Sequence, residues 1–275
     1  MSPDDGMGAI PCRIDLSQPS SARVYDYFLG GAHNFEIDRL AAAEMANRHP
    51  AVGLRMRANR GFLRRVVSYL ISVGIDQFLD LGSGIPTVGN VHQIAQRLNP
   101  EAVVVYVDIE PMAVVHSRTL LADDKWAYAV RADLRRPDEV FATTEVRDNL
   151  ELDRPLAVIL ASVLQNVPDS DDPVGIVAGY RDRLAPGSYL AISYPTVDPP
   201  DAGASDPAAA IRPRGACVPR TRDQFAAFFA GLELVEPGIV PMSRWRPEDG
   251  HDVSLDDDLA GLAGVGRWNG KPRAA

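Results

Sequence analysis

The hydrophobic pattern of this chain changes character near residue 75. Before that point apolar side chains recur at helical spacing; after it, short apolar runs alternate with amphipathic segments. Residues 1 to 16 carry Gly, Pro and Asp without any period and read as a loose arm. From Ser20 onward, Val24, Tyr25, Phe28 and Leu29 share a helical face, with Ser20 or Ser21 placed to cap it and Gly30-Gly31 to end it. A second helix is expected over Glu36 to Arg48, closing before Pro50. A third runs from Leu54 to Val73, with Phe62, Leu63, Val66, Val67, Leu70 and Ile71 as its apolar face and Gly74 as its stop. Residues 17–75 thus read as a helical unit.

Gln77 to Leu81 is a short apolar run ending in Gly82-Ser83-Gly84, which predicts a buried strand meeting a tight turn. Ala102 to Val107 is the clearest strand, because consecutive β-branched residues suit a sheet buried on both faces. Further strands are predicted at Trp126–Val130, Pro155–Ala161 and Ser188–Tyr194. The intervening helices cover Val88–Leu98, Met112–Leu121, Pro137–Arg147 and Pro173–Leu184. Such alternation specifies a mostly parallel sheet with helices on both faces. Asp198 to Pro219, rich in Pro, Ala, Gly and Asp, is either an exposed loop or a weak helix. A helix over Thr221–Ala230 follows, then the run Leu232–Val235 and an irregular Pro/Trp stretch. The acidic run Asp256-Asp257-Asp258 reads as a solvated loop, and Leu262–Trp268 as a last strand.

At 275 residues, 46% hydrophobic and 24% charged, the composition is globular and excludes chain-wide disorder, collagen and coiled coil. A net charge of −9 argues against nucleic acid or an anionic membrane as partner, since both require a basic face. The two cysteines, Cys12 and Cys217, suit a reducing compartment and cannot form a disulfide scaffold. The N-terminal stretch is acidic and lacks an apolar segment, and no run approaches the ~20 residues of a membrane span. A cytoplasmic protein is expected. HExxH, CxxC and Ser-His-Asp patterns do not occur, so no metal is expected.

In open parallel sheets ligands bind beyond the carboxyl ends of the strands. There the chain offers Asp80 with the turn Gly82-Ser83-Gly84, then Asp108, then Asp133, separated by 28 and 25 residues. The glycines permit close approach of backbone to a ligand, and the following helix aims amide hydrogens at it. A dinucleotide fingerprint would need a small residue at position 87, which is Thr, and Pro86 has no N–H for a phosphate. Asp108 suits the two hydroxyls of a ribose, and Asp133 suits an adenine amino group. Three carboxylates are poor company for a pyrophosphate but fit a cationic nucleoside, which points to S-adenosylmethionine. Asp80 and Asp133 have the simpler alternative of capping the helices that follow them.

The turn Asp80-Leu-Gly-Ser-Gly, with Tyr106-Val-Asp108 and Arg131-Ala-Asp133-Leu134, looks like motifs I, II and III of class I methyltransferases. More narrowly, the chain resembles an actinobacterial S-adenosylmethionine-dependent methyltransferase family long catalogued as a domain of unknown function. The matching stretches include Pro19–Tyr27, Gly30-Gly31 with Asn34-Phe35, Ala58-Asn-Arg60 with Phe62-Leu-Arg64, and Phe78–Thr87 with Gly89–His92. Val104–Asp108, Leu184–Tyr189 and Gly231–Trp245 complete them. The resemblance implies an α/β, Rossmann-like sheet of seven strands, the last antiparallel. It also implies a helical cap at 17–75 over a cofactor-binding domain at 76–275, with an acceptor-site insert near 198–219. Implied cofactor contacts are Tyr25, Gly30, Asn34, Asp80, Gly82, Ser83, Gly84, Asp108, Ile109, Asp133, Leu134 and Ser162. The implied function is methyl transfer from S-adenosylmethionine to a small-molecule acceptor. Two alternatives stay open: a non-catalytic protein that binds the cofactor or its demethylated product, and an NAD-dependent oxidoreductase.

The chain departs from the family at two positions. His33 stands where Asp is usual, and Gln165 where His is usual, so a base at 165 cannot be carried over. His33 is the one weak candidate for acid or base work. His49, His116 and His251 read as surface residues, and His92 as a packing or capping residue. Arg23 either pairs with Asp26 on the surface or belongs to a lid with Tyr25, Tyr27, Gly31 and Asn34. Arg57, Asn59 and Arg60 are either part of that lid or a solvated helix face. Trp126, Trp245 and Trp268 line either a pocket or an interface.

Overall fold

Runs of Val, Ile, Leu and Ala with no polar face build the centre of the sheet. The computed structural model describes residues 16–85, 89–195, 218, 220–248 and 261–270. Three helices come first: α1 (Ser21–Phe28), α2 (Glu36–Arg48) and α3 (Val52–Ser72). Strand and helix then alternate through β1 (Gln77–Leu81), α4 (Val91–Leu98), β2 (Val103–Asp108), α5 (Pro111–Leu120) and β3 (Ala127–Arg131). The chain continues with α6 (Pro137–Ala142), α7 (Thr144–Asn149), β4 (Ala157–Ala161), α8 (Pro173–Arg181) and β5 (Tyr189–Tyr194). It closes with α9 (Arg222–Ala226), the two-residue strands β6 (Glu233–Leu234) and β7 (Val240–Pro241), and β8 (Leu262–Arg267).

The sheet order is β3-β2-β1-β4-β5-β8-β6, with β7 also paired to β8. Strands β1 to β5 pair in parallel, whereas β8 lies antiparallel to β5, matching the expected inverted last strand. The order reverses between β1 and β4, which opens a crevice above their carboxyl ends.

The two-residue period of a strand divides β1 between two cores. Leu79 and Leu81 join Val105, Val107, Val158 and Leu160 under α6 to α9. Phe78 joins Val104, Tyr106, Ala157 and Ile159 under α3 and α4. Asp80 has the parity of Phe78 and is paired in register with Tyr106, so its carboxyl is directed to the α3/α4 side. That parity alone decides which helices can reach it.

Several expectations are corrected. Ser20 occupies the first cap, but its side chain makes no capping bond; its backbone N–H donates instead to Asp38 Oδ1 at 2.9 Å. The helix expected over Pro137–Arg147 is broken at Thr143, whose extended backbone separates α6 from α7. Helix α4 begins at Val91, and α9 gives way at Ala227 to a 3-10 turn. Trp245 is fully buried against Phe62 and Tyr69, and Trp268 is buried with its indole N–H on Leu184 O at 3.2 Å, whereas Trp126 is exposed. The arm at 1–15, Cys12, Pro86, Thr87, most of the 198–219 insert with Cys217, His251 and the run 256–258 lie outside the described residues.

Candidate functional site

The glycine turn after β1 is locked by its neighbours. Gly82 N–H donates to Val107 O at 2.7 Å, tying the turn to the end of β2. Gly82 and Gly84 have φ of +70° and +68°. At Gly82 an added Cβ would also lie 2.1 Å from Val163 Cγ2, so the turn tolerates only glycine there.

Asp108, at the exit of β2, is almost buried. Its Oδ2 accepts the Gly84 N–H at 2.7 Å and its Oδ1 the Glu110 N–H at 2.8 Å. Burial raises its pKa, and these two amides pull in the opposite direction. Each oxygen keeps a further lone pair, so the carboxylate is oriented without being saturated. Ile109 beside it is 54% exposed, an apolar side chain left uncovered at the sheet's carboxyl edge.

Asp80 faces a small recess lined also by Arg60, Ser83, Gly84, Asn90 and Tyr106. Burial pushes its carboxyl up to about 7, Arg60 pulls it down, and Asp108 adds a smaller upward push. Tyr106 seals the floor: its hydroxyl accepts the His92 N–H at 2.8 Å and meets His92 Nδ1 at 2.8 Å. Burial keeps the tyrosine pKa well above its usual value and the histidine below its own, so both are neutral. His92 therefore packs against Tyr106, while Asn90 and Gln93 cap α4.

Asp133 belongs to a separate cluster. Its carboxylate is forked by Arg135, with Nε at 3.0 Å from both oxygens and Nη2 at 2.6 Å from Oδ2; Arg135 continues to Asp171 at 2.8 Å. Burial would raise Asp133, but the hydrogen bonds and charge of Arg135 outweigh it and hold the carboxyl below its usual range. Neither alternative offered by the sequence, a free adenine contact or a helix cap, foresaw this pairing. Leu134 is half-buried, and its carbonyl accepts the Tyr180 hydroxyl at 2.9 Å.

The N-terminal helices meet this edge through buried polar contacts. Arg23 does not pair with Asp26 on the surface. It is 2% exposed and bonds Asp38 through Nε at 2.7 Å, Gln18 O at 2.9 Å and Glu110 at 3.5 Å. Asp26 organises the following loop: its Oδ2 accepts His33 N–H at 2.8 Å and Asn34 Nδ2 at 2.9 Å. Gly31 fits against it because a Cβ there would lie 1.9 Å from Asp26 Oδ1. His116 is not a plain surface residue; its ring lies 4.0 Å from that of His33.

A chain of hydrogen bonds runs from α1 into the sheet. The Tyr25 hydroxyl accepts Asn59 Nδ2 at 2.9 Å and donates to Met56 O at 3.3 Å. Asn59 Oδ1 accepts the Ser193 hydroxyl at 2.6 Å, and Ser193 Oγ accepts the Ser162 N–H at 3.0 Å. Ser162 has φ +52°, a left-handed backbone held by that contact at the exit of β4. Asn59, at 3% exposure, is thus no solvated helix residue. The structure gathers Asp80, Ser83, Gly84 and Asp108 at one edge and links Tyr25 to Ser162, while Gly30 touches nothing within 4 Å of its missing Cβ. Sequence reasoning left undecided Arg60 and missed Asn90 and Tyr106. The strand parity shared by Asp80 and Tyr106 could have found the latter.

Among the described residues no cluster of His, Cys, Asp or Glu is arranged to hold a metal, and no helix is long and apolar enough to cross a membrane. A reversed-order parallel sheet with an inverted last strand, a glycine turn and an oriented acid after β2 defines a Rossmann-like methyltransferase. The chain belongs to the S-adenosyl methyltransferase family, whose sequence model matches residues 7–269. It is a methyltransferase, and its cofactor is S-adenosylmethionine. The crystal structure of a candidate methyltransferase from Thermobifida fusca YX is similar, with 39% identity, TM-score 0.84, and coverage of 95% of this chain and 99% of that one. A DUF574 family protein from Streptomyces avermitilis MA-4680 has 40% identity and TM-score 0.84, covering 93% of this chain and all of its own. The N-methyltransferase NodS from Bradyrhizobium japonicum WM9 in complex with S-adenosyl-L-homocysteine shares the fold at 17% identity and TM-score 0.50, covering 89% and 98%. No curated protein matches the sequence.

Proposed function

We propose that this chain methylates a small molecule, with the cofactor's adenosine held along the carboxyl edge of β1, β2 and β3. The observation that carries the reading is Asp108, oriented by two backbone amides yet left with lone pairs for the ribose hydroxyls. Gly82 and Gly84 let backbone approach the ligand, with Ser83 between them, and exposed Ile109 packs on the adenine face. Asp133 and Leu134 border the adenine from β3, and Asp80 receives the ammonium group. Residues 17–75 form the cap, with Tyr25, Gly30 and Asn34 closing over the methionine end. Ser162 contacts the cofactor from the exit of β4, and residues 76–275 form the cofactor-binding unit, to which the insert near 198–219 adds the acceptor site. A cytoplasmic location and an actinobacterial source belong to the same proposal, as do the absence of nucleic acid and of membrane as partners.

When bound, S-adenosylmethionine supplies an electrophilic methyl group carried on a sulfonium. The protein's own part is to align that methyl with the acceptor and exclude water. The Tyr25–Asn59–Ser193–Ser162 chain supports the reading of the cap, because it fixes α1 against the strand exits beside the reacting end. Gln165 cannot take a proton, which favours an acceptor that needs no protein base.

Calorimetric titration with S-adenosylmethionine, S-adenosylhomocysteine and NAD tests the proposal. Micromolar binding of the first two is expected, weakened about 100-fold or more in Asp108→Ala, the scale of two lost charge-assisted hydrogen bonds. Binding of the first two undiminished in Asp108→Ala would overturn the placement of the adenosine at Asp108. Turnover on a panel of small hydroxyl and amine acceptors tests the acceptor class.

A further inference from the structure

Two arginines elsewhere in the fold show how a guanidinium is matched here. Arg65 donates to the carbonyls of Trp245 and Met242 at 2.8 and 2.7 Å. Arg220 serves Asp169, Leu164, Tyr194 and Val167. Arg60, which lines the recess beside Asp80, differs from these two: its Nε is buried without a hydrogen-bond partner, and among the described residues no ion pair reaches its guanidinium. A guanidinium has five donors, and leaving even one of them buried and unmatched is costly. What holds Arg60 is the face of Tyr25, 5.5 Å from its Cζ. That ring is fixed by Asn59 and the Met56 carbonyl, so the cation stays in place without being used.

Asp80 is the one acid lining the recess beside Arg60; Arg60 acts on it through its charge, and no ion pair joins the two among the described residues. A cationic fork and a carboxyl that share one small recess without an ion pair, next to the Ser83-Gly84 turn, complement a zwitterion. We infer that Arg60 is the receptor for the α-carboxylate of the cofactor's amino-acid end, and that it makes this carboxylate the feature by which the protein selects its ligands. The inference rests on the cofactor site proposed above and adds to it a residue on α3, outside the sheet edge. The guanidinium offers the carboxylate two parallel N–H donors, a match that an ammonium cannot reproduce, so Lys at 60 is a poor substitute.

Three probes distinguish the possibilities by calorimetry: S-adenosylhomocysteine, its decarboxylated analogue S-adenosyl-3-thiopropylamine, and 5′-methylthioadenosine, which lacks the whole amino-acid end. The unmodified protein should bind the decarboxylated analogue about 30-fold or more weaker than S-adenosylhomocysteine, the scale of a lost bidentate charged contact. Arg60→Met should lose that preference, binding both about equally, and should hold 5′-methylthioadenosine within about threefold of the unmodified protein. Arg60→Lys should recover only part of the preference. Equal affinity of the unmodified protein for the carboxylated and decarboxylated ligands would overturn the assignment without any variant having to fold. So would a parallel loss of all three ligands in Arg60→Met. Failure of the unmodified protein to bind any adenosyl ligand would instead remove the cofactor site itself.

Discussion

At the scale of single residues, the decisive feature is how few side chains the sheet edge can accept. Gly82 combines a left-handed backbone with a Cβ position 2.1 Å from Val163, so Gly82→Ala must displace the turn or the valine. It is expected to cost about 2–4 kcal/mol by denaturant unfolding and to abolish cofactor binding by calorimetry. Asp80 makes a pH prediction. Its carboxyl, raised by burial to about 7, is half protonated near neutrality, and a cationic ligand favours the ionised form. Affinity for S-adenosylmethionine should therefore rise between pH 6 and 8, and Asp80→Asn should flatten that slope. The stability of the ligand-free protein runs the other way. A folded pKa above the unfolded value means that Asp80 favours folding fully below about pH 4 and loses that contribution as pH rises through about 7. Thermal unfolding of Asp80→Asn should consequently fall less with pH over that window than that of the unmodified protein.

Among the elements, α1 is the one whose placement the polar contacts explain. Arg23 and Asp38 are 2% and 0% exposed and join α1 to α2, while Arg23 also reaches Glu110 at the start of α5. Removing one partner strands the other charge in the interior, so Asp38→Ala should cost about 3–5 kcal/mol, read by chemical denaturation. The exposed pair Arg136–Glu139 offers the contrast: Glu139→Ala should change stability by less than about 1 kcal/mol. Phe35 and Ser20 show why the caps were hard to read. Both donate their backbone N–H groups to Asp38, so one buried carboxylate from α2 does the work that the sequence suggested for Ser20 or Ser21. Thr143 is the converse case. Nothing in the polar pattern from Pro137 to Arg147 marked the break between α6 and α7, because both halves bury the same kind of face, through Val140, Phe141 and Val146.

For the whole molecule, the reversal of sheet order and the placement of α3 make one recess from distant segments. Arg60 precedes the turn at Ser83-Gly84 in the chain, and Tyr106 follows it, yet all line the same space. Ligands that fill it should stabilise the entire fold by mass action. S-adenosylhomocysteine at 100 times its dissociation constant should add about 2.7 kcal/mol, visible as a thermal shift that NAD at the same concentration does not give.

The sequence by itself determined the alternation of strand and helix, the parallel sheet and the acids at the strand exits. These follow from local periodicity, from β-branched runs and from glycines whose left-handed backbone other residues rarely adopt. Asp80, Asp108 and the Gly82-Ser83-Gly84 turn were legible for that reason. The tertiary structure alone decided how each charged group is spent. It gave Asp133 to Arg135 and Arg23 to Asp38, turned Asn59 inward onto Ser193, and left Arg60 unmatched over Tyr25. Pairings of this kind join residues from different elements, and the energy of a buried charge depends on which partner lies within a few ångströms of it, a distance that no spacing along the chain encodes.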